Sequence, residues 1–482
     1  MAVPATARAA DLFLNDEPEI YAAIDKLNAS GYLPGFLANT RPYSIQAVRS
    51  AAERATRETL PEGLDADLLR WLTAYTSPKA MGRVTAAASY SDSRFLPRNN
   101  EGIFRPDDFA MQAGLSARGE LNPYLSGQVR AMALHGRGDG EGNQLLDTSI
   151  EAGYKYAAVQ AGKISGWYGP ARHGALLLTN NAAPYPGIRF HNPVPIPLTG
   201  WFSFLGNVQY ELVAARMEKK PLYPHSFMLN ARLAARPRPW LEIGMTRIFH
   251  SGGEGRDYDI SEFIAEYLGR NRAPTDRSNT LAGVDFTVTL PFRYQPVQIY
   301  WDRAGEGDNK FLFTNLPYPS QWGDLVGVYL PKVLGSSRLD FRAEYADDYS
   351  GRAKTAYWYN HGSYPHQYHG IVLGHPMGGG SKEWSFKSRY FFLPTTFAEV
   401  GYESVKHAAG VQPTAGFPGE RHSRYSAGVT GWLTKSWRAE ANMMFDSVSN
   451  KGGVTDLKDT GFSAFLGVSY QAAAVSSPGR DN

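Results

Sequence analysis

The sequence contains no cysteine among its 482 residues. This absence excludes disulfide bonds, thiolate metal sites, a cysteine nucleophile and a lipid anchor on cysteine. A large charge of one sign is also missing, because 49 Lys and Arg face 46 Asp and Glu, which gives a formal net charge of +3. Nucleic-acid binding calls for a concentrated basic stripe, so we expect no nucleic-acid partner.

Long apolar runs are missing as well. No window approaches the roughly 18 to 20 apolar residues that a membrane-spanning helix requires. The chain is instead rich in aromatic residues, at 13%, including 28 Tyr and 10 Trp, and it has 49 Gly. This composition argues against a bundle of membrane helices and leaves the hydrophobic pattern along the chain to decide the fold.

The pattern near the N-terminus is helical. Asp16 and Glu19 have the spacing of a capping box ahead of an apolar-periodic run. Ser44 is expected to cap a second helix, and a third helix is expected after Pro61. Beyond these three short helices, only Ser261–Arg270 has a comparable pattern.

From Met81 onward the apolar period becomes two. In Leu339–Tyr345, LDFRAEY, apolar residues alternate strictly with Asp340, Arg342 and Glu344. The same alternation recurs in three further stretches, 284–290, 437–445 and 462–470. One face of each predicted strand is therefore apolar and the other carries charged, polar or small residues.

Alternation alone is typical of any half-buried antiparallel strand, so a soluble β-sandwich or propeller is the alternative fold. Three features favour a membrane barrel: strands of about ten residues, alternating short and long connections, and aromatic clusters at strand ends. The clusters are Trp201, Phe202 and Phe204, and Tyr390, Phe391 and Phe392. Backbone groups in lipid must all be paired, so a spanning sheet must close on itself.

Strand parity then fixes the count. Strand directions can be assigned forward from the helices or backward from Tyr470. The two assignments agree only if a returning strand lies within 165–200, and this strand brings the total to eighteen. We predict an all-β membrane barrel, an 18-stranded antiparallel outer-membrane β-barrel with a small N-terminal periplasmic α-helical bundle. We assign residues 11–77 to the helical bundle, which is expected to act as a periplasmic plug. Residues 80–471 are assigned to the barrel, and 472–482 to a disordered or artificial tail.

Several motifs resemble one known family. The stretch Gly166–Phe190, GWYGPARHGALLLTNNAAPYPGIRF, has a Trp-x-Gly-Pro element, an apolar run, Thr-Asn-Asn-Ala and Pro-x-Pro. With PWLEIGMTRIFHSGGEGRD at 239–257 and YNHGSYPHQYHGIVLGHPMGGGSKEWSF at 359–386, it resembles the Wzi family of outer-membrane capsule-assembly lectins. The resemblance covers nearly the whole chain. It implies the same eighteen-stranded barrel, a monomer, and attachment of secreted capsular or extracellular polysaccharide to the cell surface.

Binding a polysaccharide calls for aromatic faces against sugar C–H groups and planar donors for hydroxyls and carboxylates. The loop 347–384 is the richest in such residues, with glycan-binding candidates Arg352, Tyr357, Trp358, Tyr359, Asn360, His361, Tyr364 and Tyr368. A second candidate surface, provided that it lies at the barrel mouth, consists of Trp167, Tyr168, Arg172 and His173. For each of these residues, girdle or loop packing is the alternative role.

The segment after Trp167 is also expected to fold inward and narrow the lumen. Asn180 and Asn181 would hold an irregular backbone there, and the apolar run 176–178 would face either lipid or a plug. Open-pore conduction should therefore be low.

Four histidines, at 361, 366, 369 and 375, fall within fifteen residues. Their spacing matches no helical pair and no acidic partner is close in sequence, so we predict no metal and no cofactor. No nucleophile triad or paired-carboxylate motif is legible, so an enzyme is not expected. The leading function is a surface lectin, with loops extracellular, whose partners are polysaccharide and outer-membrane lipid and lipopolysaccharide. The alternative is a diffusion porin or a substrate-selective channel.

Overall fold

The structure is a computed structural model. It describes residues 17–58, 61–92, 99, 101–103, 107–137, 142–218, 223–256, 259–267, 278–306, 309–310, 317–318, 321–349, 359, 361–409 and 413–474. Across these residues, every helix falls short of the length and apolarity that a bilayer-spanning helix needs.

Three helices precede the sheet. They are α1 (Pro18–Ala29), α2 (Ile45–Glu58) and α3 (Leu64–Tyr75), and a fourth helix, α4 (Ile260–Tyr267), lies in a long connection. The capping prediction for Ser44 is confirmed, because its Oγ accepts a hydrogen bond from the Ala47 N–H at 3.0 Å. The capping-box prediction is wrong, because the N-cap of α1 is Glu17 and not Asp16, which lies outside the described residues. Glu17 makes no side-chain cap hydrogen bond. Its carboxylate is instead 2.7 Å from Arg83.

One large antiparallel sheet follows. Its strands, in chain order, are β1 Ala80–Ser91, β2 Asp107–Asn122, β3 Leu125–Arg137, β4 Gly142–Leu145 with Thr148–Tyr154, β5 Ala157–Ile164, β6 Tyr185–His191 with Ile196–Pro197, β7 Asn207–Arg216, β8 Phe227–Arg238, β9 Leu241–Ser251, β10 Ser278–Leu290, β11 Val297–Glu306, β12 Gln321–Leu330, β13 Leu339–Asp347, β14 Ser381–Leu393, β15 Thr396–His407, β16 Arg421–Trp432, β17 Trp437–Ser449 and β18 Lys458–Ala474.

The predicted number of strands is confirmed within the described residues. The sheet contains 20 segments, but β4 and β6 each consist of two segments that pair with the same neighbour, which leaves eighteen strands. The first strand pairs antiparallel with the last, for example Val84 with Tyr470, so the sheet closes into a barrel. The returning strand expected within 165–200 is β6. The last strand reaches Ala474, three residues beyond the predicted end.

The two ends of the barrel differ in their connections. The short-turn end has the connections 123–124, 155–156, 198–206, 239–240, 291–296, 331–338, 394–395 and 433–436. The long-loop end has the connections that begin after residues 91, 137, 164, 216, 251, 306, 347, 407 and 449. This alternation of short and long connections is the arrangement expected for an outer-membrane barrel.

The barrel wall is apolar outside and polar inside. In β13 the side chains of Asp340, Arg342 and Glu344 are buried, whereas Leu466, at 60% exposure on β18, is among many apolar side chains on the outer surface. A soluble sheet protein would place these two classes the other way round. The alternating pattern therefore puts charge in the lumen and apolar side chains on the outer surface of the barrel.

The helices close the short-turn end. Glu19 of α1 accepts a hydrogen bond from Arg438 Nε at 2.9 Å, and Asn28 accepts one from Arg236 Nη1 at 3.1 Å. The aromatic prediction is wrong for Phe391, which is fully buried among the apolar side chains of the helices. Because its side chain points inward from β14, it joins the plug and not the lipid-facing girdle.

Candidate functional site

A groove lies at the long-loop end. It has a volume of about 520 Å³ and is lined by Arg216, His225, Phe227, Ser251, Gly252, Gly253, Glu254, Arg256, Asp259 and Phe263. The ends of β7, β8 and β9 supply one wall, and the connection after β9 together with α4 supplies the other. The groove thus combines aromatic rings with charged groups of both signs.

An arginine stacked on tyrosine borders this groove. The guanidinium carbon of Arg256 lies 4.2 Å from the ring centroid of Tyr223 and 5.8 Å from that of Tyr364. The two rings are stacked, with centroids 5.4 Å apart and an interplanar angle of 25°. Arg256 Nη2 donates to the Tyr223 hydroxyl oxygen at 2.8 Å, and the Tyr364 hydroxyl donates to the carbonyl of Gly252 at 3.1 Å. These contacts fix the planes of the three side chains relative to one another.

A second polar pair lines the same groove. His225 Nδ1 lies 2.6 Å from Glu254 Oε1, and both side chains are partly exposed. The Gly252–Gly253 turn brings Glu254 close to the strand ends, because Gly253 has φ of +108° and a Cβ there would lie 2.9 Å from the Pro224 carbonyl oxygen. The groove therefore offers both donors and acceptors to a ligand that enters from solvent.

The structure brings only part of the predicted loop to this groove. Arg352, Tyr357, Trp358 and Asn360 lie outside the described residues. Tyr364 is buried and reaches the groove through its hydrogen bond to the carbonyl of Gly252, while His361 lies three residues before it and is partly buried. The two remaining candidates, Tyr359 and Tyr368, are buried, and the Tyr359 hydroxyl donates to the Leu176 carbonyl inside the barrel.

The second candidate surface is not at the barrel mouth. Trp167 and Tyr168 are buried and pair with Thr40 and Arg41, which belong to the helical region at the opposite end. A glycan-binding role for Trp167, Tyr168, Arg172 and His173 required a position at the barrel mouth. These residues do not have that position.

The two basic residues of that surface act inside the barrel. Arg172 Nε donates to Asp25 at 2.9 Å. The backbone N–H of His173 donates to Glu344 Oε2 at 3.0 Å, and a ring nitrogen of His173 contacts the Glu383 carboxylate. The polar atoms of both side chains therefore already have protein partners inside the barrel.

The predicted inward fold of this segment is observed. Leu176, Leu177 and Leu178 are buried in the lumen, not in contact with lipid. The amide of Asn181 donates through Nδ2 to the Val372 carbonyl at 2.9 Å, and thus holds irregular backbone as expected. The Asn180 side-chain oxygen instead accepts from Asn99 Nδ2 at 2.6 Å.

The histidines between 361 and 375 point to different partners. His366 Nδ1 lies 2.9 Å from His250 Nε2, whereas His375 Nδ1 lies 3.9 Å from Glu383. Burial lowers the pKa of His366 to about 4, and burial likewise lowers the pKa of His375 to about 4. Both rings are therefore neutral near pH 7.

Sequence reasoning missed the residues that line the groove. Arg256, Glu254 and the glycines before them form GGEGRD, which has the composition of a simple loop. The sequence signal for this groove would have been an arginine and an acidic residue in a glycine-rich connection that directly follows a barrel strand. Their partner Tyr223 lies in another connection, 33 residues away in the chain.

A closed eighteen-stranded sheet with an apolar outer face and a plugged polar interior defines an outer-membrane β-barrel. The family model for capsule assembly protein Wzi matches residues 78–460. The chain therefore belongs to the Wzi family of capsule assembly proteins.

Two relatives illustrate this membership. Escherichia coli Wzi, an outer-membrane protein involved in group 1 capsule assembly and a carbohydrate-binding β-barrel, has a solved structure that matches with a TM-score of 0.76. The identity is 19%, and the match covers 94% of this chain and 98% of that chain, so the fold is shared. An uncharacterized 55.8 kDa protein in the cps region of Klebsiella pneumoniae is 30% identical over 192 residues, which span 37% of this chain and 38% of that relative.

Proposed function

We propose that this protein is a surface lectin that binds a capsular or extracellular polysaccharide at its long-loop end and attaches it to the cell. The observation that carries the proposal is the groove lined by Arg216, Phe227 and Arg256, in which Arg256 is stacked on Tyr223. Membership of the Wzi family supports it, as does the likeness to Escherichia coli Wzi, which is itself a carbohydrate-binding barrel. The protein acts by binding and not by catalysis.

The proposed orientation places the long-loop end outside the cell and the helices in the periplasm. Outer-membrane barrels have short periplasmic turns and long extracellular loops, and this chain has the same asymmetry. A polymer at the cell surface would then meet the groove first. The apolar outer wall is in contact with outer-membrane lipid and lipopolysaccharide, and the protein acts as a monomer.

The chemistry of binding follows from the groove. Sugar rings present C–H groups on their faces, which pack on an aromatic side chain such as Phe227, half exposed on β8. The guanidinium groups of Arg216 and Arg256 supply donors to hydroxyl groups or to uronic-acid carboxylates. Arg352, Tyr357, Trp358 and Asn360 stay predicted contacts from the neighbouring connection.

A channel function is the weaker alternative. The lumen contains the buried side chains of Leu176–Leu178 and Tyr359 and, at one end, the buried core of the helical bundle. Purified protein in planar bilayers should therefore conduct little. A large steady conductance would favour the porin alternative.

The binding test compares two arginine variants. Purified protein is titrated with the capsular polysaccharide of its own host in detergent, and binding is followed by calorimetry. Arg256→Gln should weaken binding about 10-fold or more, because a charge-assisted contact is worth about 1.5–3 kcal/mol. Arg293→Gln, exposed in a connection at the short-turn end, is the control and should bind as the wild type does.

A cellular test addresses attachment. Deletion of the gene should raise shed polysaccharide and lower cell-bound polysaccharide, and the wild-type gene should restore both where Arg256→Gln does not. Polysaccharide that stays fully attached after deletion would contradict the proposed function.

A further inference from the structure

Two histidines and a glutamate converge at the long-loop end of β15 and β16, away from the groove. His407 is the last residue of β15, and Glu420 and His422 flank the first residue of β16. All three are buried, and one ligand atom from each lies within 4.8 Å of the other two. His422 Nε2 lies 3.6 Å from Glu420 Oε2.

A hydrogen bond to Asp446 orients the His422 ring. Asp446 Oδ2 lies 2.8 Å from His422 Nδ1 and also accepts from Arg424 Nε at 3.1 Å. In the neutral imidazole that donates from Nδ1 to this carboxylate, Nε2 keeps a lone pair. A carboxylate behind an imidazole is the usual support of a metal-bound histidine.

His407 has an equivalent support. Its Nδ1 lies 2.8 Å from Ser381 Oγ, and that hydroxyl donates to the carbonyl of Gly379 at 3.5 Å. When the serine hydroxyl donates to Gly379, its oxygen accepts from Nδ1–H, and the lone pair is again on Nε2. Within the described part of the chain, Nε2 of His407 and Nε2 of His422 are buried and have no hydrogen-bond partner. Buried polar atoms without a partner are rare and call for an explanation.

The backbone leaves room between these atoms. Gly416 has φ of +77°, and a Cβ there would lie 2.6 Å from His407 Nε2 and 3.1 Å from Glu420 Oε2. Any other residue would fill the space that the three ligand atoms share. Glu420 is itself held in place, because it accepts from the Phe417 N–H at 3.1 Å and from the Gly452 N–H at 3.2 Å.

We propose that His407, Glu420 and His422 bind one divalent transition-metal ion of the zinc class. Two imidazoles and a carboxylate are a donor set for zinc and its first-row neighbours, whereas calcium and magnesium prefer oxygen ligands. Bonds of about 2.0–2.1 Å in a tetrahedron separate the ligand atoms by about 3.4 Å, close to the measured 3.6 Å pair.

The bound ion would tie the connection after β15 to the barrel wall. Glu420 ends that connection, and its carboxylate also holds Phe417 within it and Gly452 in the connection after β17. A single ion would therefore fix two long loops relative to β15 and β16. Metal binding by a preformed site stabilises the folded state by mass action.

The test uses full-length protein that is purified without a histidine tag, treated with a chelator and dialysed in detergent. Titration with Co²⁺ should give one equivalent of bound ion with the visible absorption of a tetrahedral site, and Zn²⁺ should displace it. His407→Gln and His422→Gln should each lower the affinity about 100-fold or more. His135→Gln, an exposed histidine on β3, is the matched control and should bind as the wild type does.

Folding is monitored separately, by the shift in gel mobility between heated and unheated samples. If either histidine variant fails to fold, the proposal is tested by the metal affinity of Glu420→Gln and by the number of ions that the wild type binds. Zn²⁺ should raise the melting temperature of the wild type but not that of a folded variant. A wild type that binds no stoichiometric ion, or folded variants that bind it unchanged, would overturn the proposal.

Discussion

A single carboxylate joins the helical bundle to the barrel wall. Asp25 on α1 lies 3.1 Å from Arg41, 2.9 Å from Arg172 and 3.3 Å from Arg342 on β13. Burial by itself would raise the pKa of Asp25, but the three guanidinium groups outweigh burial and hold that pKa well below its ordinary value. The charge of Asp25 is thus what allows three largely buried cations to meet.

Asp25→Asn should therefore lower the free energy of unfolding by about 3–5 kcal/mol, because it leaves buried arginines without their shared anion. Urea unfolding in detergent, followed by tryptophan fluorescence, measures the change. The control is Asp67→Asn on α3, whose partner Arg70 is mostly exposed, and which should cost under about 1 kcal/mol. Equal costs for the two variants would contradict the argument.

The neighbouring Lys26 predicts a pH dependence. Burial lowers the pKa of Lys26 to about 8, against the attraction of Asp340 and Asp65. The unfolded chain keeps the ordinary value of 10.5, so it binds more protons than the folded state between these two values. Stability should consequently rise with pH from about 8 to about 10.5, by on the order of 3 kcal/mol from this group.

Lys26→Met isolates that contribution, because methionine has no charge to titrate. The difference in unfolding free energy between wild type and variant should grow in favour of the wild type as pH rises from about 8 to 10.5. The melting temperatures of both proteins across this range provide the measurement. A constant difference would mean that Lys26 does not titrate there.

At the scale of elements, the connection 165–184 crosses the lumen and packs against the connection that contains Val372. The N–H of Thr179 donates to the Leu373 carbonyl at 2.7 Å, and Asn181 adds its bond to Val372. Leu176, Leu177 and Leu178 fill the space between these backbones and the inner wall. An irregular segment is stable inside a barrel because the neighbouring connection satisfies its backbone groups.

Leu176→Ala should lower the free energy of unfolding by about 2–5 kcal/mol, because it opens a cavity in a fully buried cluster. It should also raise the conductance in planar bilayers by loosening the plug. Leu212→Ala on β7 is the control, since Leu212 faces outward at 49% exposure and should cost much less. An unchanged melting temperature for Leu176→Ala would show that the plug does not depend on this packing.

The whole molecule is stabilised by two opposite environments. Buried ion pairs such as Arg232–Asp285, at 2.8 Å, lie within the ring, while apolar side chains such as Leu466 and Met245 face outward. Closure of β1 against β18 pairs the backbone that would otherwise be left at two edges. Lipid and lumen are thus separated by one layer of strands.

Leu466→Arg should lower the yield of assembled barrel and destabilise it by up to about 2–4 kcal/mol, because a charge on the lipid face is costly near the bilayer midplane. Leu457→Arg is the control, since Leu457 is similarly exposed but lies in the connection before β18. Gel mobility of heated and unheated samples from liposomes measures assembly. Equal yields for both variants would place Leu466 away from the membrane.

The sequence by itself determined the alternation of apolar and polar residues along the strands, the even number of strands and the family to which the chain belongs. Strict period two in LDFRAEY, with charge on one face, was enough to predict a wall between lipid and a polar lumen, because side-chain direction in a strand depends only on residue order. The length of the connections then distinguished the two ends. Ser44 as a helix cap was legible for the same reason, since capping is a local interaction.

Only the tertiary structure decided which residues meet across the lumen. Trp167 and Arg172 are suited to glycan binding by residue type, yet the fold turns them toward the helices. There Arg172 meets Asp25, which is 147 residues away in the chain. Phe391 likewise faces the plug and not the girdle. Such contacts depend on closure of the ring, which joins residues that are distant in the chain and which no local pattern encodes.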